Sequence, residues 1–229
     1  MKKRYTQSNL LMLLVIILLM INATGCTDKI ENKTIYDTVN NSNNLNQNTT
    51  GETMKKIAMI ISPKGYQDTE FGTPYKYFKD HGATVDVYST KKGTAVGSVG
   101  GTFNVEHTLG ELNVSNYDAI VFIGGPGTPI VRSDNNSVSI AKNAVKNNKI
   151  LGAICWSPTI LAKGGLLVGK NATVWDGEDD ELGINTSEYL EQQGARYTGE
   201  NVTIDGNIIT ANGPLAAQKY AEAIWKKLS

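Results

Sequence analysis

The sequence predicts a single α/β domain, a three-layer α/β/α sandwich around a mostly parallel sheet, and three features predict it. Short continuous apolar runs recur at Lys56 to Ser62, Tyr117 to Ile123 and Ile150 to Ile154, as in strands buried on both faces. Helical patterns lie between them. Two of the runs end in turns of unusual composition, Gly124-Gly125-Pro126-Gly127 and Cys155-Trp156-Ser157-Pro158, and ligand sites in such sheets lie beyond the carboxyl ends of the strands.

The domain does not start at residue 1. Lys2, Lys3 and Arg4 form a basic n-region, Leu10 to Ile21 an apolar run, and Ala23-Thr24-Gly25 lead into Cys26. This is the order of an export signal, and the apolar run is shorter than the roughly 20 residues that span hydrocarbon. The small residues before Cys26 resemble a lipobox without its usual initial Leu, which makes Cys26 the expected lipid anchor. An uncleaved N-terminal anchor is the alternative. Both place the domain outside the cytoplasmic membrane, tethered to its outer face. Residues 27–53 are rich in Asn, Thr and Ser with almost no aliphatic pattern, so they read as a disordered tether, and the folded domain covers residues 54–229.

Within it, the strand Lys56 to Ser62 is followed by a helical pattern from Glu70 to His81, stopped by Gly82, and by the alternating strand Thr84 to Ser89. Gly93 to Gly101 interrupts the pattern as a loop or an edge hairpin. Next come the strand ending at Gly124, a helix from Val138 to Asn148, and the strand Ile150 to Ile154. Pro158 then opens a short helix, in a first-turn position where its missing N–H is no loss. Val202 to Ile209 carries the Asp205-Gly206 signature of a two-residue hairpin, and Leu215 to Leu228 is a terminal amphipathic helix. Together these elements make a flavodoxin-like sandwich.

Composition narrows the function. Lys plus Arg and Asp plus Glu both total 22, for a net charge of zero, so nothing draws the chain to nucleic acid. There are two cysteines. With Cys26 committed to lipid, Cys155 has no disulfide partner in a compartment where pairing is usual. It is either a small buried hydrophobe or a reactive thiol. Its place on a strand-turn-helix junction between small residues has the logic of a nucleophile elbow, and the amide ends of the following helix favour an ionised sulfur open to solvent.

The segment Ala153-Ile-Cys-Trp-Ser-Pro158 resembles the A-I-C-H-G-P and A-I-C-A-G-P elbows of the ThiJ/PfpI (DJ-one/PfpI) superfamily, with its class I glutamine amidotransferase-like fold. Pro63 to Glu70 resembles the family's first loop, Tyr117 to Gly127 its strand and Gly-Gly turn, and Ala211-Asn-Gly-Pro214 its S-R-G-P segment. The resemblance covers about Lys55 to Leu228. It implies that Glu70 hydrogen-bonds the sulfur of Cys155 and moves protons, that Gly124, Gly125 and the Trp156 amide form an oxyanion hole, and that the protein is a homo-oligomer. Without it, Glu70 is a solvated carboxylate in a helix's first turn.

Trp156 and Ser157 stand where the peptidase-like branch has His and Gly, and the only histidines are His81 and His107. Expelling an amine from a peptide needs an acid usually supplied by that histidine. A glyoxalase- or deglycase-like reaction on a small carbonyl compound needs only one acid/base group, such as Glu70. A cysteine peptidase acting on peptides and a non-catalytic redox sensor are the rival readings. Trp175, Ser157 and Asn212 are the remaining pocket candidates. The acidic run Asp176 to Glu181 reads as a solvated loop without metal-site spacing, and no cofactor or metal motif is present.

Overall fold

The computed structural model describes residues 54–229; the export signal, the Cys26 anchor and the tether lie outside the described residues. In chain order the elements are β1 (Lys56–Ile60), β2 (Lys64–Tyr66), α1 (Asp68–Asp80), β3 (Thr84–Ser89), β4 (Gly93–Gly97), β5 (Thr102–Val105) and β6 (His107–Thr108). There follow β7 (Ala119–Phe122), α2 (Thr128–Ser133), α3 (Asn135–Lys146), β8 (Ile150–Ile154), α4 (Pro158–Lys163) and β9 (Asn171–Ala172). The chain closes with β10 (Glu178–Asp179), β11 (Ile184–Asn185), α5 (Thr186–Gln192), β12 (Arg196–Tyr197), β13 (Val202–Asp205), β14 (Ile208–Ala211) and α6 (Ala217–Leu228).

Seven strands form the central sheet in the order β13-β14-β8-β7-β1-β3-β6. Every neighbouring pair is parallel except β13 with β14, whose Asp205-Gly206 turn makes a hairpin with Ile204 opposite Ile209. The expected hairpin after Gly93 forms, but β4 and β5 join β2 in a separate three-stranded sheet instead of extending the main one. Among the described residues no helix is long and apolar enough to cross a membrane.

Alternation along the inner strands feeds two cores. Ile57 and Met59 of β1 point to one face, where Phe78 of α1 and Tyr220 and Ile224 of α6 cover them. Ala58 and Ile60 point to the other, with Ile140 of α3, Ile160 of α4 and Leu190 of α5. Burying each large apolar side chain is worth about 1.5–3 kcal/mol over leaving it exposed. Helices on both faces are what cover the continuous apolar strands. Because β7 and β8 run parallel side by side, their carboxyl ends bring Gly124 and Cys155 to one edge of the sheet.

Candidate active site

Cys155 leaves β8 in the left-handed region, with φ of +62°, a conformation that costs a β-carbon residue energy and persists only when its surroundings enforce it. Here they do. The Cys155 N–H donates to Ala211 O at 2.8 Å, its carbonyl accepts from the Trp175 N–H at 3.0 Å, and the Ser157 N–H closes the turn on Ile154 O at 3.1 Å. Pro158 then starts α4.

Glu70 arrives from the other side. Gln67 caps α1, its Oε1 accepting from the Glu70 N–H at 2.9 Å. The loop before it is stitched to the Gly-Gly turn: the Gln67 N–H donates to Gly124 O and the Gly127 N–H to Gly65 O, each at 2.9 Å. Both glycines are required. A Cβ on Gly125, whose φ is +110°, would stand 2.5 Å from Gln67 N, and one on Gly124 would stand 2.5 Å from the Cys155 Cβ. The turn therefore packs backbone against the cysteine and the carboxyl group together.

The Glu70 side chain is fully buried, and no donor meets full hydrogen-bond geometry at either carboxyl oxygen. Burial pushes its pKa up to about 8, against smaller downward pulls from the Cys155 thiol and the Gly124 N–H close by. It thus holds its proton at neutral pH, as a group that donates to sulfur must. Gly125 and Trp156 turn their N–H groups towards the sulfur instead, so the structure divides the two glycines between the two partners.

The expectation of an open, readily ionised thiol is corrected. Cys155 is 7% exposed. Burial pushes its thiol up and an ionised Glu70 pushes it further, while the Gly125 and Trp156 amides pull it back. The Trp156 amide before α4 acts in the expected direction, but burial outweighs it. The two groups behave as one coupled unit: with Glu70 protonated its repulsion of a thiolate vanishes, so the pair bears a single negative charge most easily on sulfur or on carboxylate, never comfortably on both.

A cavity of about 270 Å³ opens above them, walled by Trp156, Trp175, Pro126 and Pro214. Two pocket candidates lie elsewhere. The Ser157 hydroxyl is buried and donates to Ile123 O at 2.8 Å, bracing the ends of β7 and β8 together. Asn212 turns to Asn201, its Nδ2 donating to Oδ1 at 3.2 Å. Neither histidine lines the cavity: the His81 Nδ1 contacts Tyr77 O at 2.8 Å, and His107 pairs with Tyr88 at the far edge of the sheet.

Two features escaped sequence reasoning. The acidic run is not simply solvated, because Asp179 is buried and grips the equally buried Arg132 of α2 through two hydrogen bonds, at 2.7 and 3.0 Å. Arg132 also reaches Thr159 of α4 at 3.1 Å and Glu181 at 2.7 Å. It thereby ties the helices after Gly125 and after Cys155 to the segment that follows Trp175. The second is Tyr220, fully buried, whose hydroxyl lies where a Cβ on Gly152 would be 2.4 Å away and which feels the charge of Glu70.

Comparison with known proteins bears on the family and the fold. The family model described as DJ-1/PfpI family matches residues 55–227. A deglycase of Pyrococcus abyssi is 33% identical over 68% of this chain and 89% of its own length. YraA, a cysteine-protease candidate of Bacillus subtilis, is 29% identical over 70% and 90% respectively. The crystal structure of a ThiJ/PfpI domain protein from Brachyspira murdochii is 31% identical with a TM-score of 0.69, covering 77% of this chain and 99% of that one.

Proposed function

The chain belongs to the DJ-1/PfpI family, and on that premise we propose that it is a cysteine-dependent enzyme acting on small carbonyl compounds, with Cys155 as nucleophile and Glu70 as acid and base. One observation carries the reading: a fully buried carboxyl group, kept protonated by its burial, beside a cysteine in a strained elbow. A proton-transfer group works best when its pKa is near the operating pH. The deglycase name of the Pyrococcus relative supports the same chemistry.

With methylglyoxal as the test substrate, the pair reacts in its singly charged form: the thiolate adds to the aldehyde carbon while the Glu70 proton passes to the aldehyde oxygen, giving a hemithioacetal and a Glu70 carboxylate. The Gly125 and Trp156 amides stabilise the oxygen as charge develops on it. The Glu70 carboxylate then takes the proton from that carbon and returns it to the neighbouring one, while the hydroxyl proton moves to the adjoining oxygen through the enediol, leaving a thioester. Water releases lactate and restores the thiol, so the balance is methylglyoxal plus water to lactate.

The cysteine-protease name of the Bacillus relative favours peptide hydrolysis as a second reading, but no histidine lines the cavity to protonate an amine leaving group. Lactate formation from methylglyoxal by the full-length protein is the test. Turnover that falls to background in Cys155→Ala supports the reading. Equal rates remove the cysteine from the mechanism, and peroxide oxidation of Cys155 without any turnover favours a redox sensor.

The order of residues 2–26 supports an extracytoplasmic position with lipid on Cys26. The homo-oligomer implied by the family resemblance is part of the same proposal.

A further inference from the structure

We infer that Trp156 and Trp175 make the Cys155 cavity selective for neutral carbonyl compounds bearing an apolar or aromatic substituent, and selective against oxo-acid anions. The inference rests on the reading of Cys155 as nucleophile and goes beyond it by naming what surrounds the reacting carbon.

The first support is what the wall lacks. Of the eight residues lining the cavity, none is Lys, Arg or His. Its polar side-chain groups besides the reacting pair are neutral: the Gln67 amide, whose Oε1 accepts from the Glu70 N–H at 2.9 Å, and the indole N–H groups of Trp156 and Trp175. A carboxylate or phosphate entering here would lose its water, find no cation, and approach a pair that can itself become negative. Burying an unpaired charge is among the costliest steps in recognition.

The second is what the wall supplies. Trp175 remains 47% exposed although it is a large aromatic residue, and it is held firmly. Its N–H donates to Cys155 O at 3.0 Å, and its carbonyl accepts from the Thr186 hydroxyl. Its ring lies against Gly213, where a Cβ would be 2.4 Å from the Trp175 Cε3. The segment beyond it is anchored by the buried Arg132–Asp179 pair. A rigid aromatic surface offers contact area at little cost in conformational freedom. Trp156, next to the nucleophile, has its ring partly buried in the core beneath, so it closes the floor of the same slot. At about 270 Å³ the space is just below the range of ligand pockets, which run from roughly 300 Å³ upward, and it suits a single ring or a short alkyl group.

Matched thiol reagents test selectivity apart from turnover. Methyl, benzyl, sulfonatoethyl and trimethylammonioethyl methanethiosulfonates share one reaction: the thiolate attacks the sulfenyl sulfur, a mixed disulfide forms and methanesulfinate leaves. Rates at Cys155 of the full-length protein are read by peptide mass spectrometry, which separates Cys26, and are divided by the rates of 2-mercaptoethanol. The expected order is benzyl above methyl, with the sulfonate at least tenfold below methyl, a discrimination within reach of a single pocket contact. Trp175→Ala removes the benzyl preference and leaves the sulfonate disfavoured. A sulfonate that keeps pace, a trimethylammonio reagent that leads, or a benzyl preference unchanged in Trp175→Ala overturns the inference. Selective labelling without oxoaldehyde turnover counts against the proposed reaction and leaves the selectivity standing. Failure of every reagent to label Cys155 overturns both.

Discussion

The carboxyl group of Glu70 and the side chain of Cys155 meet over the same bare α-carbon: a Cβ on Gly124 would stand 3.0 Å from Glu70 Oε2 and 2.5 Å from the Cys155 Cβ. A glycine in the turn after β7 is thus the condition for acid and nucleophile to touch. Gly124→Ala is expected to lower kcat/KM by at least 100-fold by driving the two apart, a cost that ångström-scale misplacement commonly exacts. Steady-state kinetics beside a near-ultraviolet circular dichroism spectrum checks it; full activity would mean that the pair does not act together.

Burial of Glu70 also sets the pH dependence of stability. Its pKa is raised in the folded protein, so the unfolded chain ionises first as pH climbs. Folding is unpenalised below about 4.5 and progressively penalised up to about 8. At ~1.4 kcal/mol per unit, that interval corresponds to a loss on the order of 4–5 kcal/mol. Glu70→Gln cannot ionise, so its urea midpoint is expected to stay flatter between pH 5 and 8.5 and to exceed that of the wild type at the alkaline end. Parallel curves for the two proteins would count against a buried, proton-bearing Glu70.

Arg132 and Asp179 are each about 1% exposed. Removing one partner strands a buried charge, at about 3–5 kcal/mol, whereas replacing both with apolar residues is often nearly neutral. Urea denaturation is expected to rank Arg132→Met and Asp179→Leu well below the double variant. Additive losses would show that the two residues do not depend on each other.

Cys26→Ala tests the expected anchor. Radiolabelled palmitate is expected to label the wild-type protein in growing cells and not the variant, and equal labelling would place the lipid elsewhere.

Much of the fold was legible because its strands are short and apolar on both faces. Ile150 to Ile154 has the bounds expected of it, and the hairpin at Asp205-Gly206 follows from a turn that needs positive φ, here +63° at Gly206. Helix α2 was missed because its six residues sit directly behind the Gly-Pro turn, too few to show a period. The two-residue strands from β9 to β12 leave no pattern either. In the site, Cys155 and Glu70 stood out through an elbow motif and a family resemblance, but their ionisation did not. That depends on burial, which local sequence does not report. Arg132 and Asp179 lie 47 residues apart, and the one local hint was a charged residue directly after the apolar pair Ile130-Val131. Ser157 and Asn212 show the converse: nearness in sequence to the site placed them in a pocket that their hydrogen bonds turn them away from.

The most direct test is the pH dependence of Cys155 alkylation in the wild type and in Glu70→Gln. Two coupled groups predict a broad, two-step rise in the wild type and a single step in Glu70→Gln. One identical step in both proteins would show that the carboxyl group does not govern the sulfur, and would contradict the account.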